Sequence, residues 1–203
     1  LFGTGGLGNL SGTITGGTIT GTTLTSSSGK LNNVIIGSSM TESGTLTITN
    51  DLVLGNGVNF DTGASTLYFS GLAANIGLAA GATSATLTKA GGALYANTVA
   101  NNGVVTIGSG VTVQGYGSLP VYYGGGGWVN NGTIISNTVG QTFTISSTNF
   151  TNAATGVVRA TAGTTTISSA TLTSNAGSSL DVNGGTLTVS PTAWNGASNL
   201  NLT

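Results

Sequence analysis

Short stretches in which apolar and hydroxyl-bearing residues alternate recur from one end of the chain to the other. Thr13-Ile14-Thr15, Thr45-Leu46-Thr47-Ile48-Thr49, Val104-Val105-Thr106-Ile107 and Thr186-Leu187-Thr188-Val189 are examples. A period of two, rich in β-branched residues, places alternate side chains on opposite faces of a strand. Gly or Asn bounds each stretch and supplies the positive φ that tight turns need. Helix formers do not cluster. The nearest helix candidate is 72–85, where Gly77 and Gly81 intervene, so a single helical turn is the most it predicts.

A longer period overlies the alternation. The glycines that precede the strands, at Gly12, Gly29, Gly44, Gly63, Gly81, Gly103, Gly132, Gly156, Gly177 and Gly196, recur at intervals of about 20 residues. Recurrence on that scale marks a solenoid built from one repeated unit. Twenty residues accommodate three short strands and three turns, which is one coil of a parallel β-helix. The expectation is an all-β fold, a single parallel β-helix of roughly ten coils over 1–203. Ile14, Leu46, Ile48, Val105, Ile107, Ile134, Val158, Leu187 and Val189 would point inward, with ladders of Thr, Ser and Asn outside. A β-sandwich of hairpins is the alternative, since Asn56-Gly57 and Asn183-Gly184 suit hairpin turns, but it gives no reason for the longer recurrence.

Composition narrows the chemistry. Charged residues are 3% of the chain, against roughly 25% in ordinary soluble domains. His and Cys are absent, which excludes His-based triads, Cys nucleophiles, zinc sites of the usual ligands, haem ligation by His or Cys, and disulfides. No cofactor is expected. The cations Lys30, Lys89 and Arg159 are scattered singly, so nucleic acid is not an expected partner. With 38% hydrophobic residues and only 2 prolines the chain has enough apolar surface for a core. No apolar run approaches the ~18 residues of a membrane-spanning helix. Leu1 stands where neither an initiator Met nor a signal sequence precedes it, which reads as a processed chain or a portion of a longer one.

Several units open alike: Asn101-Asn102-Gly103-Val104-Val105, Asn130-Asn131-Gly132-Thr133-Ile134, Ala154-Thr155-Gly156-Val157-Val158 and, more loosely, Asn183-Gly184-Gly185-Thr186-Leu187. This pattern, in coils of about 20 residues within a Cys-free, charge-poor chain, resembles the secreted right-handed β-helices of Gram-negative bacteria. These are the autotransporter passengers and the filamentous-haemagglutinin-like exoproteins. The resemblance runs from Gly12 to Gly196. It implies an extracellular, cell-surface stalk or adhesin; separately, the residues predict that no chemistry is performed.

β-Helical polysaccharide lyases and hydrolases would need clustered carboxylates, and the acids here are Glu42, Asp51, Asp61 and Asp181. Asp51 and Asp61 fall on different faces. Glu42 and Asp61 are spaced to stack about one coil apart, and a glycosidase pair sits about 5 to 9.5 Å apart. No Arg, Lys or aromatic platform accompanies them, so turn or surface roles are expected, and no catalytic residue is assigned. The run 56–61 is the most oxygen-rich, but calcium takes six to eight oxygens and Asn-Gly turns account for the run. No metal site is assigned.

Thr-x-Thr pairs such as Thr142/Thr144, Thr164/Thr166 and Thr186/Thr188 resemble the ladders of ice-binding solenoids, a different class of function. Their offsets from the preceding glycine vary, so a common face is not required. The segment 115–131 carries Tyr116, Tyr122, Tyr123, Trp128 and a run of four glycines in the longest interval between units. It is predicted to leave the coil as a loop. There it would either make contacts, with a glycan or cell surface as partner, or fold back over an apolar coil edge. Both ends of the sequence lack polar caps, and the low charge gives little repulsion between copies. End-to-end or lateral self-association, or continuation of a longer chain, is therefore expected.

Overall fold

Thr13 pairs with Lys30 and Thr164 with Thr186, each in parallel and each one turn further along the same face. All strand pairings in the computed structural model are of this kind; it describes residues 7–96, 102–197 and 199–202. Among those residues, 22 strands form one continuous sheet wound into a parallel β-solenoid of about 8 turns of about 22 residues. Antiparallel hairpins, and with them the sandwich alternative, are absent from the described residues. So is any helix. The helical turn considered for 72–85 is instead the strand Ala73–Leu78, which buries Ala74 and Ile76 on alternate positions, followed by a turn at Gly81.

The turns are unequal. Steps between register partners run from Thr13 to Lys30 near the start, widen to Ala73 and Val104 in the middle, and hold at 22 residues from Thr142 to Ala193 before the last step, Ser179 to Asn199, shortens to 20. Corners absorb the difference while strand register is kept, because a one-residue slip would turn every inward side chain outward. Thr23–Ile36 and Met40–Leu54 bend around corners and pair on three faces, whereas most later strands are four residues long and serve one.

Three inward columns make the core. On one face Ala74, Val105, Trp128, Phe150, Leu172 and Trp194 succeed one another in register. On the next, Met40, Phe60, Leu87, Val113, Ile134, Val158, Leu180 and Leu200 do the same. On the third, Leu46 stacks on Leu67 and Leu67 on Leu94, and Leu119, Ile145, Ile167 and Val189 continue the line. Each aliphatic or aromatic side chain fully buried in these columns contributes about 1.5–3 kcal/mol, whereas Trp194 and Leu200, on the last described coil, are exposed. The nine residues expected to point inward all belong to this core or, as with Ile14, Leu187 and Val189, pack against it half-buried.

Polar ladders replace apolar ones in places. Asn130 Nδ2 donates to Asn152 Oδ1 at 2.9 Å and to the carbonyl of Val157 at 3.1 Å, and Asn152 Nδ2 donates to the carbonyl of Ser179 at 3.0 Å. The hydroxyls of Ser147 and Ser169 meet at 3.3 Å, and Thr165 donates to Ser136 at 2.8 Å. Each bond joins consecutive coils. Two corners allow no side chain: at Gly44 (φ 114°) and Gly115 (φ 105°) a Cβ would lie 1.9 Å from the carbonyl oxygens of Ser26 and Lys89, one coil earlier.

Candidate functional site

The four carboxylates do not converge. Asp51 accepts from Asn75, through both the backbone N–H and Nδ2 at 2.9 Å, one coil on. Asp61 accepts from the N–H of Gly63 at 2.9 Å, and Asp181 accepts from Arg159 at 2.8 Å and Asn201 at 2.7 Å. Burial works against ionisation of Asp181, but the hydrogen bonds from Asn201, Arg159 and Ser179 and the Arg159 charge outweigh it and hold its carboxyl below the ordinary value.

Glu42 corrects the sequence reading. Thr41 is the register partner of Asp61, so Glu42, its neighbour, points to the opposite side, into the solenoid. The expected Glu42–Asp61 stack is therefore not formed, because consecutive strand residues alternate faces. Instead Glu42, Thr62 and Lys89 occupy one interior column, and Glu42 and Lys89 are each 1% exposed. Lys89 Nζ donates to the carbonyl of Ser65 at 2.7 Å and to Thr62 Oγ1 at 3.3 Å. Both carboxylate oxygens of Glu42 are buried with no hydrogen-bond partner. Ser65, beside them, accepts from the N–H of Gly44 at 2.9 Å and donates to the carbonyl of Glu42 at 3.4 Å. Burial pushes the Glu42 carboxyl up to about 7, against the smaller pull of the Ser65 hydroxyl and the Lys89 charge. Burial likewise brings Lys89 down to about 8, against the charges of Glu42 and Asp61.

An open cleft of about 450 Å³ lies over this region, lined by Thr41, Glu42, Ser43, Gly44, Gly63, Ala64 and Ser65. Among the described residues no three metal-ligating carboxylates gather. The oxygens of the run 56–61 do not converge either. Asn56 accepts from Thr83 and Asn59 from Thr88, each binding the next coil.

The four aromatic candidates separate. Residues 115–131 do not form one loop: Val111–Leu119 and Gly127–Asn130 are strands of the coil, Val121 is bridged in parallel to Ala96 and packs against the core, and only 122–126 leaves the coil. Trp128 is 1% exposed, sits between Val105 and Phe150 in its column, meets Phe69 edge-on and donates from Nε1 to the carbonyl of Pro120 at 3.1 Å. It is a core residue and not a surface contact, because its strand is in register with the coils on either side. Tyr116 lies half-buried against Gly91. Tyr122 and Tyr123 are exposed. The sequence reading missed their companions. Tyr68 and Tyr95, register partners, stack with centroids 5.2 Å apart and planes 7° from parallel. Tyr122 stands edge-on to both, at 5.8 and 5.7 Å, and Tyr123 stands edge-on to Tyr122 at 4.9 Å.

Three Thr-x-Thr pairs do share a face. Thr142, Thr164 and Thr186 are in register, and so are Thr144, Thr166 and Thr188. The other pairs are spread over different faces. Comparison with known proteins finds no family model, no curated protein and no solved structure that matches the chain.

Proposed function

We propose that this chain is a non-enzymatic structural and adhesive solenoid, an extracellular stalk or fibre-forming segment of a secreted bacterial surface protein, joined coil to coil to more solenoid. The observation that carries the reading is the open cross-section at the last described coil. Trp194, Leu200 and Leu202 hold the inward register positions of Leu172, Leu180 and Val182, yet they are 50%, 59% and 71% exposed. Their strands pair on one side only, so unpaired backbone groups and a layer of core side chains face outward together. A second copy of the chain seated on this edge satisfies both at once. The polar side chains support the same reading, because they bond from coil to coil and so resist shear along the rod. Negative-stain microscopy of the concentrated 203-residue chain tests it: rods longer than one molecule are expected, and single short particles at every concentration would count against it.

A second reading, ice binding, is favoured by one arrangement alone. The paired threonines at Thr142/Thr144, Thr164/Thr166 and Thr186/Thr188 repeat along the rod at about 4.8 Å, the interstrand spacing. Thermal hysteresis that disappears in Thr164→Tyr would establish it, and its absence in the unaltered chain would remove it.

A further inference from the structure

The tyrosine cluster on the side of the rod is built differently from the rest of the surface. Tyr68 and Tyr95 stand on adjacent strands whose neighbouring side chains, Leu67 and Leu94, are fully buried, so both rings rise from a rigid sheet. Val121 is bridged to Ala96 and the N–H of Tyr122 donates to the carbonyl of Ala96 at 2.9 Å, which anchors the 122–126 loop to the coil beneath it. Ring contacts then run from Tyr68 and Tyr95 to Tyr122 and on to Tyr123. Interlocked rings lose little freedom when a ligand settles on them. Tyr122 and Tyr123 nonetheless keep 53% and 46% of their surface exposed.

The surroundings define the ligand. Thr66 and Ser70 flank Tyr68 on the same side of its strand, Thr47 is its register partner, and Ser70 shares a 3.2 Å hydrogen bond with Thr49. The nearest charged residue in this column, Lys30, lies two register steps away. An anionic ligand finds no cation beside the rings. A quaternary ammonium needs a hollow between rings, and rings 4.9 to 5.8 Å apart touch one another instead. What remains is a neutral ligand with a flat C–H face and hydroxyls around its rim. We propose that Tyr122 and Tyr123, buttressed by Tyr68 and Tyr95, bind the pyranose rings of a neutral oligosaccharide, with the neighbouring Thr and Ser hydroxyls facing the sugar hydroxyls. This rests on the adhesive part of the function proposed above and names its ligand class.

The test uses the 203-residue chain with cellohexaose, maltohexaose and xylohexaose as neutral probes, and with a heparin hexasaccharide and choline as charged ones. Titration calorimetry should show a neutral probe binding, with Tyr122→Ala and Tyr123→Ala each weakening it about tenfold or more and Tyr122→Phe retaining it within about threefold. Saturation-transfer NMR on the unaltered chain, which does not depend on any variant folding, should carry magnetisation from the tyrosine rings to the sugar C–H groups. Failure of all three neutral probes to bind, binding only to heparin or choline, transfer that bypasses the tyrosines, or undiminished affinity in both alanine variants would each overturn the proposal. Loss of self-association in Tyr122→Ala without any sugar binding would instead make the cluster a contact between copies. The fibre measurement is independent: a chain that forms rods and binds no sugar defeats only this proposal.

Discussion

Glu42 and Lys89 face the interior of the solenoid from one column, two coils apart, with Thr62 between them. They are not in ion-pair contact; among the described residues that geometry belongs to Arg159 and Asp181, at 2.8 Å. Two ionisable groups are thus held in a hydrophobic rod, one with hydrogen bonds and one without. Burial of the two groups is expected to add nothing to stability over apolar side chains in the same places.

The dependence on pH follows from the two shifts. Glu42, raised to about 7 from 4.5, keeps its proton in the folded chain where the unfolded chain has lost it. Its effect on stability is therefore favourable below about pH 4.5 and is lost as pH rises through 7. Lys89, lowered to about 8 from 10.5, acts in the opposite sense, because the unfolded chain binds the additional proton between those values. Stability then recovers as pH climbs from about 8 toward 10.5. The expected profile has a minimum between these windows, near pH 7 to 8, with a rise on the order of 3 kcal/mol on either side. Urea unfolding at about pH 5, 7.5 and 10 checks it, and a flat profile would mean that both groups are solvated.

Replacing both groups has a different outcome from replacing one. Glu42→Leu with Lys89→Met is expected to leave stability at neutral pH unchanged or to raise it by about 1–4 kcal/mol. Lys89→Met alone removes the cation whose charge acts on the buried Glu42 carboxylate and should be destabilising above pH 7. A double variant less stable than the unaltered chain would show that the pair is net favourable. Glu42→Gln should abolish the acid-side rise while sparing the alkaline one.

Gly44→Ala and Gly115→Ala should each cost more than about 3 kcal/mol, since positive φ and a carbonyl oxygen 1.9 Å from the new Cβ act together. Gly12→Ala meets nothing within 4 Å and should be nearly neutral. Thermal melts of the three variants decide this, and equal melting points would contradict the corner geometry.

Trp128→Ala should lower stability by about 3–5 kcal/mol, the cost of truncating a buried aromatic. Tyr123→Ala, on an exposed ring, should change it by less than about 1 kcal/mol. A Trp128→Ala chain as stable as the parent would place that indole outside the core.

Much of this architecture was legible in the sequence. Alternation identified the inward residues because a strand carries its own period, and glycine recurrence gave a coil length close to the observed one. The interior places of Glu42 and Lys89 were missed, although Leu87-Thr88-Lys89 alternates in, out, in. A charged side chain ordinarily overrides that signal by turning to water, and here it does not. Trp128 was misread because the Gly-rich run beside it suggested a loop, while its strand remains in register with Val105 and Phe150. The pairing of Tyr68 with Tyr95 was hidden by unequal turns, since no fixed period brings residues that far apart into register. Likewise the threonine pairs align only where the turns become regular, beyond Thr142.

Whether the open coil at Trp194, Leu200 and Leu202 is a joining surface is tested most directly by the mass of the chain in solution. Light scattering over a range of concentrations should give a mass that climbs above the 19.6 kDa of one chain. Leu200→Asp with Leu202→Asp, which place charge on that edge and leave the coils beneath it unaltered, should return the mass to that of a single chain. A monodisperse 19.6 kDa species at every concentration, or association undiminished in the double variant, would contradict coil-to-coil joining.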